Sequence, residues 1–162
     1  MTAAASILAI EARHASWIGS AAEKSNPWAT AFETPLSFNQ VYTIASAFIT
    51  GCPESNPALP VKAFPKLAVA PAASGEASTF DFTVPDGADD TKFYAAILVG
   101  LSTQYVELTK GDDGKYSGAL PDQLCGPSYV LISNSGEATA DENVVAGPIV
   151  TRLACNSKTD AA

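Results

Sequence analysis

The chain has 162 residues, of which 47% are apolar and 16% charged, a composition typical of a globular protein with one hydrophobic core. Seventeen acidic and nine basic residues give a formal charge of -8, which would repel a phosphate backbone and argues against nucleic acid as a partner. No apolar run approaches the roughly 20 residues that span a bilayer, so we expect no membrane insertion.

The first 52 residues predict two helices, which we expect to form a helical hairpin. Residues 3–24 contain no proline, and their apolar side chains recur at helical spacing until Pro27 ends the helix. A second helix begins with the capping-box pair Ser37 and Gln40 and ends before Gly51. We interpret these 52 residues as a helical appendage to the rest of the chain.

The rest of the chain is predicted to be mainly β. Residues 53–66 contain four prolines and predict an extended linker, whereas residues 67–156 alternate short β-rich runs with turn-forming residues. We therefore predict an immunoglobulin-like or fibronectin-like antiparallel β-sandwich, followed by a tail at residues 157–162. Tyr129 is expected at the tyrosine corner of such a sandwich. Seven runs are predicted as strands: 67–70, 79–84, 93–100, 104–110, 116–120, 128–133 and 147–153.

The three cysteines predict one disulfide and one leftover thiol. The last two predicted strands follow each other in the chain and are expected to pair as an antiparallel hairpin. If Ser133 lies opposite Gly147, the same register sets Cys125 opposite Cys155, so we predict a bond between these two cysteines. Cys52 then remains unpaired or joins two chains.

One pair of residues has the spacing of a metal-ligand motif. Glu11 and His14 lie three residues apart on one helical face, the Glu-x-x-His arrangement of carboxylate-bridged di-iron bundles. Such a site needs a second Glu-x-x-His helix and two further glutamates, which the second predicted helix does not supply. We therefore expect no metal or other cofactor, and we interpret the pair as local. The acidic residues at 86–90 and 112–113 are interpreted as turns, because the EF-hand spacing is absent.

No catalytic motif is complete in this sequence. It lacks a Gly-x-Ser-x-Gly elbow and a glycine-rich phosphate loop, and its one histidine stands in no recognisable triad pattern. We therefore expect that the protein is not an enzyme.

Apolar and aromatic side chains cluster around the predicted helices. Two helices alone cannot bury an apolar stripe as a four-helix bundle does, so Ile7, Trp17, Ile18 and Trp28 are expected to cover an interface. Two alternatives remain open: packing on the sandwich of the same chain, or an isologous contact with a second copy. The second alternative predicts a homodimer joined through its helices.

Three segments carry a resemblance to a known family: TAAASILAIEARH at residues 2–14, TPLSFNQVY at 34–42 and CPESNPALPVKAFP at 52–65. Over about the first 67 residues the chain resembles the secreted ferritin-like proteins of fungi, often described as stress-response or desiccation-related. In that family a four-helix ferritin-like bundle precedes a β-domain. The resemblance implies that the first helix corresponds to the last bundle helix, and that the protein is secreted to the extracellular space.

These observations predict a non-enzymatic, secreted fungal binding protein that acts on a protein or glycan receptor. A short helix joined to a sandwich is also the architecture of the small fungal immunomodulatory proteins, which dimerise through the helix and stimulate immune cells. This comparison is an analogy of architecture without a sequence match. The alternative function is a ferritin-like metal-binding or stress-protective protein that uses Glu11 and His14.

Overall fold

A computed structural model describes residues 2–70, 77–88, 91–121 and 126–153; the predicted tail at 157–162 lies outside these ranges. Most of the described residues with regular structure belong to strands, which confirms the mainly β prediction. The elements, in chain order, are α1 (Thr2–Trp17), a π-helical turn (Ile18–Ala22), α2 (Phe38–Ser46), β1 (Leu67–Ala70), β2 (Ala77–Phe82), β3 (Tyr94–Val99), β4 (Ser102–Glu107), β5 (Thr109–Lys110), β6 (Tyr116–Ala119), β7 (Gly126–Ser133), a 3-10 turn (Asp141–Asn143) and β8 (Val144–Leu153).

The strands form two antiparallel four-stranded sheets that share one hydrophobic core. The first sheet has the order β1-β2-β6-β5 and the second the order β4-β3-β7-β8. Phe80 from the first sheet packs in the same fully buried cluster as Ile97 and Ile132 from the second. Burial of each such side chain stabilises the fold by roughly 1.5–3 kcal/mol. The sandwich-like arrangement expected from the strand pattern is therefore present.

The single strand predicted at 104–110 is two strands, and they belong to different sheets. β4 pairs with β3 in the second sheet, whereas β5 pairs with β6 in the first. Between them Leu108 is buried, and its backbone N–H donates to the carbonyl oxygen of Phe93 at 2.8 Å. The chain therefore crosses from one sheet to the other at this residue. The predicted hairpin turn at 110–115 is confirmed, because the Gly111 N–H donates to the Lys115 carbonyl at 2.8 Å.

The second sheet is apolar on both of its faces. On β3, Ala95 and Ile97 point into the shared core, whereas Ala96 and Leu98 are buried on the outer side of the sheet. The connector between α1 and α2 supplies Leu36, which packs on this outer cluster. Tyr129 packs on the same outer cluster and not in the main core, which corrects the predicted tyrosine corner.

Helix α2 is fixed to the sandwich through its first turn. The predicted capping box is confirmed, since the Ser37 hydroxyl accepts from the Gln40 N–H and the Gln40 side chain accepts from the Ser37 N–H. Gln40 is only 3% exposed, and its amide also donates to the Thr139 carbonyl at 3.0 Å. The Asp141 carboxylate accepts from the Ser37 hydroxyl at 2.6 Å and from the Asn39 amide at 2.8 Å. The helix start is thus held against the connection between β7 and β8.

The proline-rich segment 53–66 runs back along α2 to reach β1. The backbone N–H of Lys62 donates to the Asn39 side chain, and that of Phe64 donates to the Thr43 hydroxyl, both at 2.9 Å. The predicted linker is therefore hydrogen-bonded to the helix that precedes it, and appendage and sandwich are joined.

The predicted helical hairpin is wrong for the described residues. Helix α2 packs on β8, whereas α1 is exposed along its length and has no buried residue. The physical reason is that the connector between them packs on the outer face of the second sheet through Leu36, instead of closing a tight turn that would bring the two helices together.

The register predicted for the last two strands is also wrong. β7 and β8 do pair in antiparallel fashion, but Ser133 lies opposite Val144 and not opposite Gly147. The ladder is irregular just before Ser133, so a register extrapolated from one pair does not hold along the hairpin. Cys125 and Cys155 lie outside the described residues, and their disulfide stays a prediction.

We predict that Asp141→Ala lowers the free energy of unfolding by about 1–2 kcal/mol, because two hydrogen bonds to the start of α2 are lost. Urea unfolding followed by circular dichroism measures this change. Asp112→Ala, in an exposed turn, is the matched control and should leave the midpoint unchanged. Equal midpoints for the two variants would contradict a stabilising role for Asp141.

Candidate functional site

Helix α1 is poorly covered by the rest of the described chain. Every residue from Thr2 to Ala15 is exposed, including Ile7 at 54% and Leu8 at 67%. Charged side chains are few on this helix, so apolar surface extends around much of its circumference, as in helices that are buried by other helices. No described helix combines the length and the apolar character that crossing a membrane requires. The helix is therefore a candidate surface for contact with another protein.

One face of α1 has the spacing of a coiled-coil seam. Ala3, Ile7, Ile10, His14 and Trp17 follow one another at intervals of four, three, four and three residues. This is the a and d pattern of a heptad repeat, in which apolar side chains meet those of a partner helix. Trp17, at the end of the seam, is 66% exposed.

The base of α1 is anchored to the edge strand β8 by Arg152. Its guanidinium forms an ion pair with Glu23 at 2.8 Å and donates to the Ser25 hydroxyl. Gly19 is buried at this junction, where an added Cβ would lie 3.3 Å from the Cα atom of Pro27. Because glycine has no side chain, the backbone at Gly19 can lie this close to Pro27. The contacts of Arg152 span more than 100 residues of sequence, and no local pattern predicted them.

The four residues predicted to form an interface are all exposed in the single chain. Ile7 and Trp17 lie on α1, Ile18 begins the π-helical turn, and Trp28 lies on the connector. One of the two alternatives was that these side chains pack on the sandwich of the same chain. In the described structure such packing covers them only in part. The contact with a second copy stays a prediction.

Glu11 and His14 are both exposed on α1, and the described residues bring no third His, Cys, Asp or Glu side chain to them. Within the described ranges, no three His, Cys, Asp or Glu side chains cluster closely enough to hold a metal ion. Cys52, also described, carries a free and exposed thiol. In the acidic turn at 112–113, the Asp113 carboxylate accepts from the Lys115 N–H at 3.1 Å, in keeping with a role in the turn.

Two described side chains have clearly shifted pKa values. Burial raises the pKa of Tyr129, and the nearby Glu33 carboxylate raises it further. The pKa of Lys92 is raised by its hydrogen bond to Glu107, with which it also forms an ion pair at 2.7 Å. Both shifts favour the protonation state that these groups already have at neutral pH. Neither shift therefore produces a general acid or base poised near pH 7.

No protein-family model matches the chain, and a comparison with curated proteins finds no significant match. The resemblance to the secreted ferritin-like proteins of fungi stays a prediction.

We predict that Arg152→Gln loosens the base of α1. Loss of the ion pair to Glu23 should speed amide hydrogen exchange in residues 19–25 by about fivefold, because a half-exposed ion pair contributes up to about 1 kcal/mol. Hydrogen-exchange mass spectrometry measures this effect. Arg13→Gln, which removes an exposed arginine from α1 itself, should leave exchange in this segment unchanged. Equal exchange in both variants would show that Arg152 does not hold the helix.

Proposed function

We propose that this protein is a non-enzymatic binding module that acts as a homodimer joined through α1. The observation that carries the proposal is the exposed seam of α1, whose apolar residues have no cover within the described chain. Soluble proteins rarely leave a contiguous apolar patch of this kind in water unless it forms an interface. A second copy of the same seam offers the complementary surface.

The charges on α1 are compatible with pairing of two copies. Although the whole chain carries a charge of -8, the helix contains one acidic residue, Glu11, and one arginine, Arg13. In the heptad these two residues take the e and g positions, on opposite flanks of the seam. Two helices can therefore approach without the repulsion that the net charge of the chain would produce elsewhere.

We also propose that the sandwich is of the immunoglobulin or fibronectin type. The order β1-β2-β6-β5 corresponds to strands A, B, E and D of that class, and β4-β3-β7-β8 corresponds to C′, C, F and G. This correspondence supports the proposed type beyond the coarser description of two packed sheets. In such folds, binding surfaces are commonly built from the loops at the ends of the sandwich.

The proposed setting of this module is extracellular, with a protein or glycan receptor as its partner. The resemblance to secreted fungal proteins supports the setting. An exposed N-terminal helix joined to a sandwich supports the comparison with the small fungal immunomodulatory proteins. A dimer would present each binding loop twice, and two linked contacts strengthen attachment to a surface that carries many receptors.

The double variant Ile7→Glu with Ile10→Glu tests the dimer. Carboxylates buried in an apolar seam cost several kcal/mol, so we expect at least a hundredfold weaker self-association than in the unmodified chain. Sedimentation equilibrium measures the association constant. Leu8→Glu is the matched control, because Leu8 is equally apolar and more exposed than Ile7 but takes a b position outside the seam.

The unmodified chain and Leu8→Glu should both sediment as dimers. A monomeric unmodified chain at about 100 μM, a concentration that would populate a dimer with a micromolar dissociation constant, would refute the proposed dimer. Equal weakening by Leu8→Glu and by the double variant would show that the seam is not the interface.

A further inference from the structure

A groove of about 620 Å³ lies between α2, the segment that leads into β1, and the edge strand β8. This volume falls within the range of sites that bind small molecules in proteins, which are concave and mostly apolar. Its apolar lining comes from all three elements and includes Ile44, Ala47, Phe48, Phe64, Ile149 and Val150.

Two apolar side chains that line this groove face solvent in the single chain. Phe48 is 83% exposed and Val150 is 55% exposed, although both stand beside an apolar surface that could cover them. The groove is thus apolar at its rim as well as within. An occupant with an apolar body would remove this surface from water, which favours binding.

Of the polar groups that line the groove, several are hydrogen-bonded within the chain and one carries a charge. The Thr43 and Ser46 hydroxyls donate to carbonyl oxygens of α2 itself, and the Gly147 N–H donates to the Pro65 carbonyl. Lys66 is the one charged residue among those that line the groove, and it forms no ion pair with the described residues. The groove therefore combines apolar walls with an uncompensated positive charge.

We propose that this groove binds an amphipathic anion, with its apolar chain between α2 and β8 and its carboxylate near Lys66.

Two other cavities are lined by a carboxylate instead of a lysine, so they are less suited to an anion. The hollow at residues 28–33 bears the carboxylate of Glu33, which would repel an anion. In the cavity at the start of α2, the carboxylate of Asp141 is already bound by Ser37 and Asn39. The inference goes beyond the proposed protein or glycan receptor by adding a small-molecule ligand, and it does not depend on the dimer.

Decanoate and decyltrimethylammonium, used below their micellar concentrations, test the ligand class by isothermal titration calorimetry. The two probes share an apolar chain and differ in the sign of the head group. We expect decanoate to bind once per chain, and the cation to bind at least threefold more weakly because Lys66 repels it.

Two pairs of variants locate the site. Lys66→Gln should weaken decanoate binding about threefold to fivefold, whereas Lys62→Gln, a neighbouring exposed lysine outside the lining, should not. Ala47→Trp should fill the groove and abolish binding. Ala45→Trp, at an exposed position of α2 outside the lining, should bind as the unmodified chain does.

Equal affinity for both probes, full binding by Ala47→Trp, or absence of any decanoate binding would each overturn the inference. If decanoate did not bind to the unmodified chain and Ala47→Trp changed the oligomeric state, the groove would instead be assigned to a contact between copies. The monomeric Ile7→Glu, Ile10→Glu variant should still bind decanoate. Failure of the dimer proposal and failure of the ligand proposal are therefore separate results.

Discussion

The constraint on which the rest of this structure depends is that the second sheet has to be covered on both faces. Strand β3 places Ala95 and Ile97 on the inner face and Ala96 and Leu98 on the outer face, and all four are buried. The first sheet covers the inner face. The connector between the helices contributes Leu36 to the cover of the outer face. Helix α2 packs against β8, whereas α1 has no buried residue among those that the structure describes.

The two helices consequently have different roles. Helix α2 is part of the folded body, since its first turn is hydrogen-bonded to Thr139 and Asp141 and its last turn forms one wall of the groove. Within the described part of the chain, helix α1 contributes little burial and is anchored at its base, where Arg152 pairs with Glu23. A helix with an anchored base and an exposed apolar seam is suited to contact a partner.

The proposed functions both follow from apolar surface and not from reactive groups. We propose that the exposed seam of α1 contacts a second copy of the chain, and that the groove beside α2, which Lys66 lines, binds a smaller molecule with a negative head group. The shifted pKa values of Tyr129 and Lys92 keep these groups in their ordinary neutral-pH forms.

Features that depend on neighbouring residues could be predicted from the sequence. The capping box of Ser37 and Gln40, the strand runs and the helical spacing of α1 each reflect interactions within a few residues, which a local pattern records. Only the tertiary structure decided the change of sheet at Leu108, the irregular register before Ser133 and the anchor at Arg152. Each of these depends on contacts between distant segments, where burial and hydrogen bonding in three dimensions outweigh local preference.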